Sequence, residues 1–198
     1  MTQIPRLCIA GLLLAGNAFA QRIFLENFDR EKGELGSFGT GSAYIVPVSG
    51  ELKGNAVCLE MIFTDWSQDL GWNLGKTRLS GNRGASLRNY ILSFDLHLTS
   101  AVAKNGSMRI RLEGWAQENF QGAKTTTEEG LVALPPTGTT QHYELNLGTL
   151  LKPKTFDPLA PCWQIIFNPK CWELGGPGAY TILIDNVALT QVDTPLGR

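Results

Sequence analysis

Apolar and polar residues alternate with a period of two in seven separate stretches of this chain. Residues 90–98 place Leu92, Phe94, Leu96 and Leu98 on one side, with Ser93, Asp95 and His97 opposite. Residues 108–117 place Ile110 and Leu112 on one side, with Arg109, Arg111, Glu113, Trp115 and Gln117 opposite. Residues 141–147 set Tyr143, Leu145 and Leu147 against His142, Glu144 and Asn146. Residues 56–63 gather Val57, Leu59, Met61 and Phe63 on one face, and residues 163–168 alternate Trp163, Ile165 and Phe167 with Gln164. Residues 23–29 and 180–190 complete the set. This alternation marks strands with one face in a core and the other in water. Between them lie turn-forming stretches at 33–42, 81–84, 105–106, 135–140 and 175–178. Amphipathic helical spacing of ordinary length is missing. Many short strands with polar connections predict an all-β fold, a two-sheet β-sandwich in a single domain.

Composition narrows the picture in three ways. Gly (22) and Pro (10) are plentiful among the 198 residues, which favours turns and strands over helices. Lys and Arg (17) balance Asp and Glu (18), and no basic face is expected for neutralising phosphates, so nucleic acid is not an expected partner. Residues 1–20 carry Arg6, an apolar run over 7–15 and the small-x-small site Ala18-Phe19-Ala20, the layout of a secretory signal peptide. The expected domain is then residues 21–198, secreted or periplasmic. The apolar run is shorter than the roughly 20 residues that span a bilayer, and no membrane partner is expected. Cys58, Cys162 and Cys171 remain after the leader. In an oxidising compartment Cys162 and Cys171, close in sequence and each followed by Trp, are the expected disulfide, with Cys58 left buried.

The chemistry of one strand stands out. A solvated outer face needs charges but gains nothing from an indole, yet Trp115 shares its face with Arg109, Arg111, Glu113 and Gln117. An aromatic ring stacks on the apolar face of a pyranose, and fixed guanidinium, carboxylate and amide groups meet its hydroxyls. The same residues leave three other readings open. A glycoside hydrolase would need a carboxylate pair from Asp95, Glu113 and Glu144. A polysaccharide lyase would need a base such as His97 or His142, with Arg109 or Arg111 facing a uronate. An extracellular interaction domain would use Trp115 as an interface anchor.

Four segments carry a resemblance: Leu25-Glu26-Asn27-Phe28-Asp29; Gly54-Asn55-Ala56-Val57-Cys58-Leu59; residues 87–98, LRNYILSFDLHL; and Ile182-Leu183-Ile184-Asp185-Asn186-Val187-Ala188-Leu189. Together, over about residues 23–190, they resemble the jelly-roll carbohydrate-binding modules of secreted glycanases, particularly the family 11-like group. The resemblance implies a jelly-roll β-sandwich, expected to be a monomer, that binds polysaccharide without cleaving it. The implied ligand is a β-glucan or related hemicellulose chain in a groove on the concave sheet. Candidate groove residues are Asp95, His97, Arg109, Arg111, Glu113, Trp115, His142, Glu144 and Gln164. Trp66, Trp72 and Trp172 are candidates for the groove rim or the edge of the core. The resemblance further implies a structural Ca2+ near Glu26 or Asp29, the carbonyl of Lys53, Asn55 and Asp185, a donor set suited to a hard cation.

Overall fold

The computed structural model describes residues 21–29, 35–74, 86–103, 105–117, 121–152, 154–157 and 159–192. The expected signal peptide lies outside them. Twelve strands follow in chain order: β1 (Gln21–Glu26), β2 (Leu35–Gly39), β3 (Gly41–Val48), β4 (Gly54–Phe63), β5 (Leu70–Leu74), β6 (Tyr90–Leu98), β7 (Ser107–Trp115), β8 (Lys124–Thr126), β9 (Gly130–Ala133), β10 (Thr140–Asn146), β11 (Cys162–Asn168) and β12 (Gly178–Gln191). Two single-turn helices, α1 (Leu147–Leu150) and α2 (Cys171–Leu174), close the strands before them. The α1 turn is capped by Asn146, whose side-chain oxygen accepts from the N–H groups of Gly148 and Thr149.

The strands form two antiparallel sheets. Sheet A runs β10-β6-β12-β4-β3 with β1 also on β12, and sheet B runs β2-β5-β11-β7-β8 with β9 also on β7. Their inner faces supply the core by the alternation read from sequence. Sheet A contributes Leu92, Phe94, Leu96, Val57, Leu59, Ile182 and Ile184; sheet B contributes Ile110, Leu112, Trp163, Ile165 and Phe167. Aromatic rings bridge the layers. Phe94 meets Phe167 edge-on at 5.2 Å, and Trp72 stacks on Phe167 at 5.2 Å. Trp72 is fully buried, so it belongs to the core and not to any rim.

Two features of the sheets decide where polar groups collect. β11 is buried along its whole length, on both faces. Long β12 changes partners midway: residues 178–184 pair with β4 and residues 187–191 pair with β1. A bulge falls between Asp185 and Ala188 at the changeover, with Asn186 at φ 51°. The end of β1 and the start of β4 meet opposite that bulge. There the Asn55 N–H donates to Asp29 Oδ1 at 2.9 Å. Gly54, at φ +78°, is required, because a Cβ would collide with the Asp29 carboxylate.

The expected disulfide is corrected: no bond joins Cys162 and Cys171, and Cys58, Cys162 and Cys171 are all buried as thiols. Cys162 begins β11 and Cys171 begins α2 beyond its other end. Six extended steps from Cys162 to Asn168 cover about 20 Å, whereas a disulfide requires Cα atoms within about 7 Å. Closeness in sequence is undone by the strand between them.

Candidate functional site

The structure divides the nine candidate groove residues between two faces. Arg109, Arg111, Glu113 and Trp115 lie on β7, and Gln164 on β11, all on the outer face of sheet B. Asp95 and His97 lie on β6, and His142 and Glu144 on β10, on the outer face of sheet A. The whole core separates the sets. The single groove expected for all nine is corrected: alternation tells inside from outside, but not which outside. The same division parts Glu113 from Asp95 and Glu144, and both histidines from both arginines.

On sheet B the β7 row is joined into a chain of alternating charge. Arg109 Nε donates to Glu173 Oε1 at 2.6 Å and Nη1 to Glu129 Oε2 at 2.8 Å. Arg111 Nη1 donates to Glu129 Oε1 at 2.9 Å, and Nε reaches Glu113 Oε1 at 3.3 Å. Lys124 Nζ closes the chain on Glu113 at 3.2 Å and lies 5.7 Å from the centroid of the Trp115 ring. Glu129 is delivered by the segment after β8. That segment is pinned to β7 by Thr127, whose N–H donates to Leu112 O and whose Oγ1 accepts from Leu112 N–H.

Burial and pairing compete along this chain. Burial pushes the Glu129 carboxyl up, but the bonds from Arg109 and Arg111 outweigh it and hold the group below the usual carboxylate range. Glu173 goes the other way although it shares Arg109: burial dominates, and one guanidinium bond does not offset it. Its side chain is 9% exposed, and Oε2 is buried without a hydrogen-bond partner among the described residues. Arg109 is also drawn against by burial, yet its two carboxylates hold the guanidinium above its ordinary value.

An opening of about 430 Å³ lies over this row, lined by Arg109, Arg111, Glu113, Thr126, Glu129 and Lys154. It follows β7 and the 126–129 segment. It does not extend over β11, where the outward residues Gln164 and Ile166 are 8% and 2% exposed. Gln164 lies beside its register partner Glu113 on the same face, 8% exposed against 7%, but does not line this opening. Glu129, Lys124, Lys154 and Glu173 were missed in the sequence. Residues 124–129 (KTTTEE) have no apolar alternation, and their role depends on lying beside β7.

The sheet A set makes separate local contacts. His142 Nδ1 lies 2.6 Å from Asp95 Oδ1, and Asp95 Oδ2 accepts from Asn186 Nδ2 at 2.7 Å. His97 Nδ1 lies 2.9 Å from Thr140 Oγ1, and Glu144 is largely exposed. Beside His97, an opening of about 440 Å³ is lined by Val48, Glu51, Leu52, Thr140 and Leu183.

Below this row, at the β12 bulge, Asp185 is 1% exposed. Burial first, then the neighbouring charges of Asp95 and Asp29, push its carboxyl up to about 6, against the Asn186 N–H that favours the ion. Of the residues expected around calcium, Asp29, Asn55 and Asp185 are thus drawn to one locality. Asn55 meets Asp29 through its N–H rather than its side chain. Glu26 is placed by backbone pairing with Val187, while its side chain lies outside the described atoms. Asp95 and Asp29 thus add negative charge around the buried Asp185 carboxylate. Among the described residues no cluster of three or more His, Cys, Asp or Glu stands at metal-binding geometry, so a cation here would need backbone and amide oxygens as well.

No family model matches the chain, and no curated protein matches it. Solved structures do. A family 30 carbohydrate-binding module is similar at TM-score 0.58 and 14% identity, over 91% of each chain. The module CtCBM11 in solution is similar at TM-score 0.55 and 15% identity, over 90% of this chain and 98% of its own. A family 11 module from Clostridium thermocellum, in complex with a β-1,3-1,4-mixed-linked tetrasaccharide, is similar at TM-score 0.52 and 16% identity, over 86% of this chain and 94% of its own. At these identities the likeness establishes the fold, the jelly-roll β-sandwich of such modules.

Proposed function

We propose that this protein is an exported, monomeric carbohydrate-binding module that holds a β-glucan or related hemicellulose chain along β7, on the outer face of sheet B, without cleaving it. The observation that carries the reading is the β7 row itself. Guanidinium and carboxylate groups are locked in fixed positions by one another, and the row ends on the partly exposed indole of Trp115. Trp115 stacks on a sugar ring, while the Glu113 and Glu129 carboxylates and the Arg109 guanidinium meet hydroxyls. Because the charges alternate, the row offers many directed hydrogen bonds with little net field, which suits a neutral glycan better than a uronate. The family 11 neighbour with its bound tetrasaccharide supports the substrate class. Separation of both histidines from both arginines, on opposite faces, disfavours the lyase arrangement.

A structural Ca2+ belongs to this proposal. Asp29 and Asp185, with the Lys53 carbonyl and oxygens of Asn55, would hold it where β12 passes from β4 to β1, fastening the first and last strands. Bound there, it would supply charge compensation and cross-linking, and would take no part in sugar recognition.

The test is depletion of the purified protein onto soluble and insoluble polysaccharides, with a reducing-end assay of the supernatant. Retention on a β-glucan or hemicellulose without new reducing ends is expected, with an affinity in the micromolar to millimolar range, about −8 to −4 kcal/mol. Reducing ends released in proportion to enzyme would replace this reading with hydrolysis. Retention on no polysaccharide would leave the interaction-domain reading.

A further inference from the structure

The Arg109 end of the β7 row carries a second indole. Trp172, on α2, is 45% exposed, yet its backbone is firmly held. Cys171 and Leu174 on the same turn are buried in the core, the Cys171 N–H donates to Gln68 O at 3.1 Å, and Gly175 at φ +111° closes the turn. The Arg109 guanidinium carbon lies 5.4 Å from the Trp172 ring centroid, and Lys170 Nζ lies 5.8 Å from it. Arg109 therefore belongs both to the charged row and to the setting of this ring. Across β9, Leu131 is the register partner of Arg109 and is 58% exposed. Next to Trp172 in sequence, Glu173 accepts from Arg109 Nε at 2.6 Å and ties α2 to the charged row.

We propose that Trp172 is a second stacking platform for the same glycan, held beside the Arg109 end of the charged row. This rests on the β7 groove reading. Arg109 and Trp115 are six residues apart along an extended strand, about 20 Å, so the two indoles serve different units of one chain. A ligand long enough to reach both gains the second contact at high effective concentration, and a short one does not. The groove therefore selects for chain length and grips an internal stretch of polymer.

The experiment is calorimetric titration of β-1,3-1,4-glucan oligosaccharides, from two to six units, into the wild-type protein, Trp172→Ala, Trp172→Phe and Trp115→Ala. Wild-type affinity should climb with length. Trp172→Ala should lose at least fivefold on the hexasaccharide while staying within twofold on the disaccharide, and Trp172→Phe should recover most of the loss. Trp115→Ala should lose at every length. Hexasaccharide affinity unchanged in Trp172→Ala would overturn the second platform and leave the groove standing. An equal loss at every length would overturn it too, since the ring would then act only by positioning Arg109. Failure of the wild-type protein to bind any member of the ladder would bring down the groove reading, and this proposal with it.

Discussion

The outer faces of the two sheets were indistinguishable as strings of letters, and they have become different surfaces. On sheet B the outward side chains of β7 find partners on other elements: Glu129 after β8, Glu173 on α2 and Lys124 on β8. The result is one continuous network bordered by an indole at each end. On sheet A the outward side chains of β6 and β10 close on immediate cross-strand neighbours, His142 on Asp95 and His97 on Thr140. The Asp95 row leads instead to the buried carboxylate of Asp185. One face is built to present hydrogen-bonding groups at fixed spacing; the other gathers negative charge at a bulge. The difference lies in what each strand's neighbours bring, which no single strand encodes.

The largest expected effect belongs to sheet A. With its carboxyl raised from 3.8 to about 6, Asp185 is protonated more readily in the folded chain than in the unfolded one. Its contribution favours the folded state fully below pH 3.8 and is lost as pH rises through about 6. A rise of that size sets a ceiling of about 3 kcal/mol on the contribution. In chelator, the melting temperature should therefore fall between pH 5 and pH 7, and Asp185→Asn should remove that fall. Added Ca2+ should raise the wild-type melting temperature at pH 7 and leave Asp185→Asn unmoved. Identical melting curves for the wild-type protein in chelator and in Ca2+ would remove the metal from the proposal.

Next in size is the hub of the sheet B network. Glu129→Gln removes the charge shared by Arg109 and Arg111, each only about one-quarter exposed. A loss of about 1–3 kcal/mol at pH 7 is expected. The Glu129 carboxyl is held below its ordinary range, so its contribution is present above the unfolded value of 4.5 and is lost as pH falls through the lower folded value. Denaturation curves of wild-type and variant should therefore converge toward acid pH. A gap that stays constant with pH would mean Glu129 matters for packing and not for charge.

Binding separates the faces more directly. Trp115→Ala should weaken glycan affinity at least tenfold, while His142→Ala and Glu144→Ala, on the other face, should change it less than twofold. Affinity electrophoresis through polysaccharide gels reads all three. A large loss in the sheet A variants with none in Trp115→Ala would exchange the roles of the two surfaces.

Much of the fold was legible because period-two alternation survives folding unchanged. β6 and β12 match the sequence reading closely, and Leu92, Phe94, Leu96, Ile182 and Ile184 are core residues as expected. β2 escaped because Leu35–Gly39 is glycine-rich and becomes a strand by pairing with β5. β8 and β9 escaped because they are three and four residues long and owe their form to β7. The site was legible only in part. Trp115, Arg109, Arg111 and Glu113 share a face because they share a strand, a local fact. That Asp95 and His97 lie across the core from them is a fact of topology. The partnership of Arg109 with Glu173, 64 residues on, is another. Alternation sends Gln164 outward, as the structure has it beside Glu113, but does not reveal that β11 is buried on both faces.

The smallest expected effect is nearly no effect at all, and it sharpens the comparison most. Lys124, Arg111 and Arg109 interleave with Glu113, Glu129 and Glu173, so the row presents little long-range field to an approaching ligand. Raising ionic strength from about 0.1 M to 1 M shortens the screening length from about 10 Å to 3 Å. That should change glycan affinity by less than twofold, since the ligand is neutral and the fixed ion pairs are short and partly buried. A uronate-bearing polymer held by Arg109, Arg111 and Lys154 would instead lose affinity steeply over the same range. Titration of a neutral β-glucan and of a polyuronate at both salt concentrations therefore separates a row that offers hydrogen bonds from one that offers charge.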